Sequence, residues 1–235
     1  MKHLLIFAVG LLLVACQPKS TLNSLTDEQK AEGWQLLFDG QSLNGWKIFK
    51  DRKNNSWEVV DGMLHCKAPI ETPGVDNERS DLMTLEQYDN FELYLEWKIA
   101  PQSNSGIMYR VTEEFEQPYL TGPEYQIIDD AGYAHEKEFH HTGANYDMHI
   151  AENKKLNPVG EWNSSKIVAN GNQIEHWLNG NKVVAYEINS EDWINRKNAS
   201  KWAEATGYGV PAKGHIDLQD HGSEIWFRNI MIRRL

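Results

Sequence analysis

This chain has little cysteine, little positive charge and no long apolar run outside its first residues. Its only cysteines are Cys16 and Cys66, so at most one disulfide could form. Lysine and arginine number 23 against 34 aspartates and glutamates, for a net charge of -11. A surface of that sign repels phosphate backbones, which excludes a nucleic-acid partner; the terminal Arg233-Arg234 pair is too small to reverse it. H-E-x-x-H and G-x-S-x-G are both missing, and Asn104-Ser105-Gly106 only superficially resembles a nucleophile turn. Strand signals do not alternate with helix signals, so a parallel α/β sheet is excluded.

What is present begins with an export signal. Lys2 and His3 precede the apolar run Leu4–Val14, which is too short to span a bilayer and has the size of a signal-peptide core. Leu13-Val14-Ala15-Cys16 resembles a bacterial lipobox, which implies cleavage before Cys16 and lipidation of its sulfur. Three segments follow: 1–16 as lipoprotein signal, 17–32 as flexible tether, and 33–235 as one domain. The expected location is the bacterial cell envelope, with membrane contact only through the lipid. An acylated Cys16 leaves Cys66 without a partner, and Leu64-His65-Cys66-Lys67 reads as a strand burying a structural thiol.

From Trp34 onward the pattern is β. Asp61-Gly62 joins two apolar runs as a hairpin, and Asn170-Gly171 and Asn179-Gly180 join three more into a meander. In Phe91–Ile99 every odd position is apolar, which marks a half-buried strand. Residues 192–201 alone look helical. Many short strands with frequent turns predict an all-β fold: an antiparallel two-sheet jelly-roll sandwich.

Side chains two apart on a strand share a face, so polar residues can be grouped. After the Gly122-Pro123 turn, Glu124 and Gln126 face one way and Tyr125 and Ile127 the other. In the stretch 215–221, His215, Asp217, Gln219 and His221 share a face opposite Ile216 and Leu218. Arg110 is expected opposite Ile107 and Tyr109, and Arg228 opposite Phe227 beside Trp226. Together these supply bidentate donors, acceptors and a flat ring, the parts of a sugar site. Nine tryptophans suit such a ligand, although they also fill cores. His135, His140, His141 and His149 lie in an irregular loop without metal-ligand spacing, and no cofactor is expected. Calcium at Asp129 and Asp130 has only two adjacent carboxylates in its favour.

A wider resemblance now applies. Gly33–Gly40, Leu43–Trp46, Asn104–Ile107, Thr121–Ile127, Thr142–Asp147, Pro158–Asn163, Glu175–Gly180, Leu218–Gly222 and Phe227–Ile230 resemble, in order, the 3-keto-disaccharide hydrolase family. Asp217 departs from it where a small residue is expected, narrowing the site, and Asn145 departs where an apolar one is. The resemblance implies a concanavalin-like jelly roll whose concave sheet acts on glycosides oxidised at C3, with a carbohydrate as the substrate.

A ketone at C3 acidifies the C2 hydrogen, so one base, one acid and donors to an enolate oxygen are required. The strand faces place Glu124 or His221 as acid/base and Arg110 and Gln126 at the keto oxygen. His215, Gln219 and Arg228 then position hydroxyls, with Asn104 and Trp226 completing the substrate contacts. Three rival functions remain at this point: a hydratase or lyase performing one half-reaction, a non-catalytic carbohydrate-binding lipoprotein, and a structural surface lipoprotein, which leaves the row of His and Gln unexplained.

Overall fold

The computed structural model describes residues 21–235; the leader and Cys16 lie outside the described residues. No helix among the described residues is long and apolar enough to cross a membrane. In chain order the first strands are β1 (Gln35–Leu36), β2 (Trp46–Ile48), β3 (Trp57–Val60), β4 (Met63–Cys66), β5 (Leu82–Thr84) and β6 (Phe91–Ile99). They continue as β7 (Asn104–Val111), β8 (Glu124–Ile128), β9 (Asn163–Asn170), β10 (Gln173–Leu178), β11 (Asn181–Glu187), β12 (His215–Leu218) and β13 (Ile225–Arg234). Among the described residues, two α-helices, α1 (Asp27–Ala31) and α2 (Glu191–Ala199), complete the regular structure apart from short 3-10 turns.

One sheet runs β11-β10-β9-β6-β13-β4-β3 with β1 added on β13; the other runs β2-β5-β12-β7-β8. Every pairing is antiparallel. The predicted jelly-roll sandwich is therefore the fold. The odd positions of β6 are all buried, and the core between the sheets holds Trp97, Phe227, Ile107, Tyr125, Ile216 and Leu218. Asp61-Gly62 and Asn179-Gly180 turn with positive φ at both residues, which matches the right-handed twist of the strands they join. Cys66 is fully buried, and desolvation holds its thiol far above the usual range, so it is structural.

The segment expected as tether is docked over its described part. Asn23 exchanges two hydrogen bonds with Asn229, each of 2.8 Å, and gives a third to Gly62 O. Thr26 and Gln29 form a reciprocal capping box that starts α1.

Three features decide which side chains reach the five-stranded sheet's open face. First, β7 bulges. Val111 pairs with His215 and Met108 with Asp217, so Tyr109 and Arg110 together oppose the single residue Ile216. Arg110 sits at φ 56°, and its guanidinium leaves the face to bond Asp89 O (3.1 Å) and Gly171 O (2.6 Å), the latter on the β9–β10 turn of the other sheet. Gly214 allows this: a Cβ there would lie 2.3 Å from the Arg110 carbonyl carbon. Arg110 is thus an inter-sheet clamp and not a ligand for a keto oxygen.

Second, β12 ends at Leu218. The chain turns at Asp220, whose carboxylate is held by Arg79 (2.6 Å), and His221 emerges exposed beyond the row it was expected to share. Third, Arg228 and Trp226 belong to the other sheet. Arg228 bonds Glu96 (2.7 Å) and lies over Trp162, while Trp226 stacks on His65, all on the outer surface. Neither can join Glu124.

Candidate active site

The backbone register of the five-stranded sheet lays out its open face as a grid. Met83 on β5 pairs with Asp217 on β12, Asp217 with Met108 on β7, and Met108 with Glu124 on β8. The next row is Asp81, Gln219, Gly106 and Gln126: Gln219 N–H donates to Gly106 O (3.0 Å), and Gly106 pairs with Gln126. Asn104 pairs with Ile128 in the row after that. Neighbours within a row are about 4.8 Å apart and rows about 7 Å apart. Six polar side chains therefore ring the one residue without a side chain, Gly106.

Glu124 fills that gap. A Cβ on Gly106 would lie 2.3 Å from Glu124 Oε1 and 2.9 Å from its Cγ, so the carboxylate leans across the glycine. Beside it, Phe49, Met83, Met108 and Val111 form an apolar cluster separate from the main core. Burial raises the Glu124 carboxyl to about 7, with Lys201 opposing and Asp81 adding to the effect.

The ring is short of donors. Asn104 Oδ1, Gln126 Oε1, Gln219 Oε1 and both Asp217 oxygens are buried with no hydrogen-bond partner. Each buried unmet acceptor costs about 1–3 kcal/mol, so the three amide oxygens gathered here point to a ligand rich in hydroxyl donors.

Lys201, which no motif in the sequence marks, brings the positive charge. Tyr146 N–H donates to Glu124 O (3.1 Å), and the Lys201 ammonium lies 4.0 Å from the Tyr146 ring and 4.3 Å from that of Trp202. Lys201 N–H bonds Asp147 (2.7 Å), and Asp147 is held in turn by His140 (2.9 Å). Desolvation lowers the Lys201 ammonium, with Glu124 the largest opposing influence. Tyr119, Tyr146 and Trp202 edge this side of the ring as an aromatic shelf.

Other expected participants are committed elsewhere. His215 lies on the right strand, but its Nδ1–H donates to Thr84 O (2.7 Å) and its Nε2 accepts from Gln87 (3.0 Å). Asp129 accepts from the Gln102 and Gly132 amides, and Asp130 from Thr142 N–H and Lys154. Those four carboxylate oxygens are taken by three backbone amides and the Lys154 ammonium and do not gather round a cation. His140 and His149 brace the loop through Glu136, Asp147, Asn145 and Asp192. An apolar cavity of about 200 Å³ between Trp97, Ile99, Leu156 and Val159 borders Ile128; its polar lining is these same satisfied aspartates with Asn157 and Asn163, which bond to each other's segment.

A polar ring on one sheet of a two-sheet jelly roll, with a buried carboxylate at its centre, defines the class of sugar-handling β-sandwich enzymes. Residues 33–233 match the 3-keto-alpha-glucoside-1,2-lyase-like domain, and the chain belongs to that family. It is 30% identical over 239 residues to a 3-keto-disaccharide hydrolase of Bacteroides thetaiotaomicron, across 91% of this chain and 82% of that one. A Parabacteroides distasonis structure described as a candidate glycosyl hydrolase superposes with a TM-score of 0.82 at 39% identity, covering 92% of this chain and 100% of the other. A Bacillus subtilis carbohydrate-binding module of type CBM66 shares the fold alone, with a TM-score of 0.52 at 12% identity over 80% of this chain and 95% of that one. The chain is a glycoside-hydrolase-like enzyme.

Proposed function

We propose that the chain cleaves the glycosidic bond of 3-keto glycosides by elimination followed by hydration, with Glu124 as the base. The observation that carries this is Glu124 itself: a carboxylate desolvated over Gly106, beside Lys201, among amide acceptors waiting for hydroxyl groups. A carboxyl raised to about 7 is both an effective base and an effective acid near neutral pH.

Glu124 takes the C2 proton, and the electron pair moves to the C3 oxygen as an enolate. The enolate reforms the ketone as the C1–O bond breaks, giving a C1–C2 double bond, and the leaving oxygen takes the proton from Glu124. Water then adds at C1 and a proton returns to C2, for net hydrolysis. Asn104, Gln126 and Gln219 orient the ring through its hydroxyls, and Lys201 balances the negative charge. Ordinary glycosidases instead use two carboxylates flanking the scissile bond. Purified protein is expected to release sugar from a 3-keto disaccharide and to leave the unoxidised disaccharide intact. No release from either would overturn the proposal, and a lasting unsaturated sugar would restrict the chain to the lyase half-reaction.

We further infer an envelope location with Cys16 lipidated, on the strength of Leu13-Val14-Ala15-Cys16. Labelled palmitate is expected in the full chain and absent from Cys16→Ser; equal labelling of both would refute it.

A further inference from the structure

Asp217 is the one charged-type residue of the ring that touches nothing able to balance it. It is 0% exposed, and neither carboxyl oxygen has a hydrogen-bond partner. Its neighbours within the row are Met83 and Met108, both fully buried. The groups acting on it from the surrounding strands are both acidic: Asp81, just before β5, and Glu124 on β8. The nearest cations serve others, with Lys201 beside Glu124, Arg52 acting on Asp81, and Arg79 bound to Asp220. Of the pair, Asp81 accepts the Asp220 N–H (2.8 Å) while Asp217 accepts nothing. Asp217 is thus the carboxyl of the two with no donor to stabilise its anion.

We propose that Asp217 is a neutral carboxylic acid that donates a hydrogen bond to the C3 oxygen of the substrate, opposite the base Glu124. This rests on the elimination chemistry proposed above. Asp217 and Glu124 flank Met108 in one row, so their backbones stand two strand spacings, about 10 Å, apart on one face. A sugar edge seated over the Met108 position would present its C2 hydrogen to one carboxyl and its C3 oxygen to the other.

The proton balance is simple. Glu124 accepts the C2 proton, the enolate charge gathers on the C3 oxygen, and Asp217 shares its proton with that oxygen while keeping it. The proton remains on Asp217 when the ketone reforms and the leaving group departs. A donor fixed in an apolar place is strong because no water competes for it. Desolvation, reinforced by Asp81 and then Glu124, drives the Asp217 carboxyl far above the ordinary range, in keeping with this role. Asp217 was expected only to narrow the site, and this gives it a chemical task.

The test compares Asp217→Asn, which keeps an N–H donor, with Asp217→Ala and the better-filling Asp217→Leu. Two quantities are read: hydrolysis of a 3-keto disaccharide, and washout of C2 deuterium from 3-keto-glucose, which has no glycosidic bond to break. Asn is expected to retain both rates within about tenfold, while Ala and Leu lose about 100-fold or more in both. Thermal midpoints measured alongside identify any variant that fails to fold, and Asn against the folded member of the other two then decides. Equal losses in Asn, Ala and Leu would show that an ionised acceptor is needed and would overturn the proposal, as would unchanged washout in Ala or Leu. Glu124→Gln in the same assay separates the two claims. If it abolishes washout while Ala and Leu at 217 do not, the base stands and the donor falls. If washout survives Glu124→Gln, the base itself falls.

Discussion

Glu124→Gln is expected to lower turnover of a 3-keto disaccharide by about 10³-fold with little change in fold stability. The magnitude is that of removing a positioned general base. The substitution conserves size, so the side chain can still lie over Gly106, and it removes a carboxyl that burial makes costly to ionise. The two effects separate chemistry from packing: kcat falls while the thermal midpoint holds or rises. The same carboxyl sets the pH response. Because Glu124 must be ionised to accept a proton and is raised to about 7, kcat/KM is expected to rise with pH through about 7. Lys201 holds that value down, so Lys201→Met moves the rising limb to higher pH, and Lys201→Arg largely restores it. A limb unmoved by Lys201→Met would mean that the ammonium does not act on the base.

The second large effect is expected at a residue with no functional group. Gly106→Ala adds a methyl where Glu124 Oε1 would be 2.3 Å away and its Cγ and Cδ 2.9 Å away. Real Cβ atoms do not approach so closely, so either the carboxylate swings off the glycine or β7 and β8 separate. The first is easier, because a side chain rotates more readily than two paired strands part. The base is then displaced by an ångström or more, and a misplacement of that size costs about 100-fold. Measured together, kcat/KM should drop by about that factor while the urea midpoint shifts only slightly. A large stability loss with activity per folded molecule unchanged would show that Gly106 serves packing and not the base.

Much of this architecture was readable from periodicity. The alternation in Phe91–Ile99, the Asp61-Gly62 and Asn179-Gly180 turns and the shared face of Glu124 and Gln126 all depend on local rules, and all appear in the fold. Alternation fails where the backbone leaves the pleat. Arg110 was misplaced because a bulge inserts one residue, and His221 because β12 stops at Leu218. Periodicity also tells which face a side chain takes but not which sheet carries it, so Arg228 and Trp226 were grouped with residues on the opposite sheet. Lys201 was missed for a third reason. It follows α2 in an irregular segment whose path is set by distant partners, Asp147, Tyr146 and Thr121, and no local pattern encodes those contacts.

The most direct measurement follows the hydrogen at C2. A 3-keto disaccharide carrying deuterium at that carbon is hydrolysed by the enzyme in ordinary water, and the released 3-keto sugar is examined by NMR. Elimination through Glu124 requires the C2–D bond to break in every turnover, so the product should carry hydrogen at C2, and turnover should be slower than with the undeuterated substrate. Product that keeps its deuterium at C2, formed at the undeuterated rate, would contradict elimination and return the chain to direct displacement at C1.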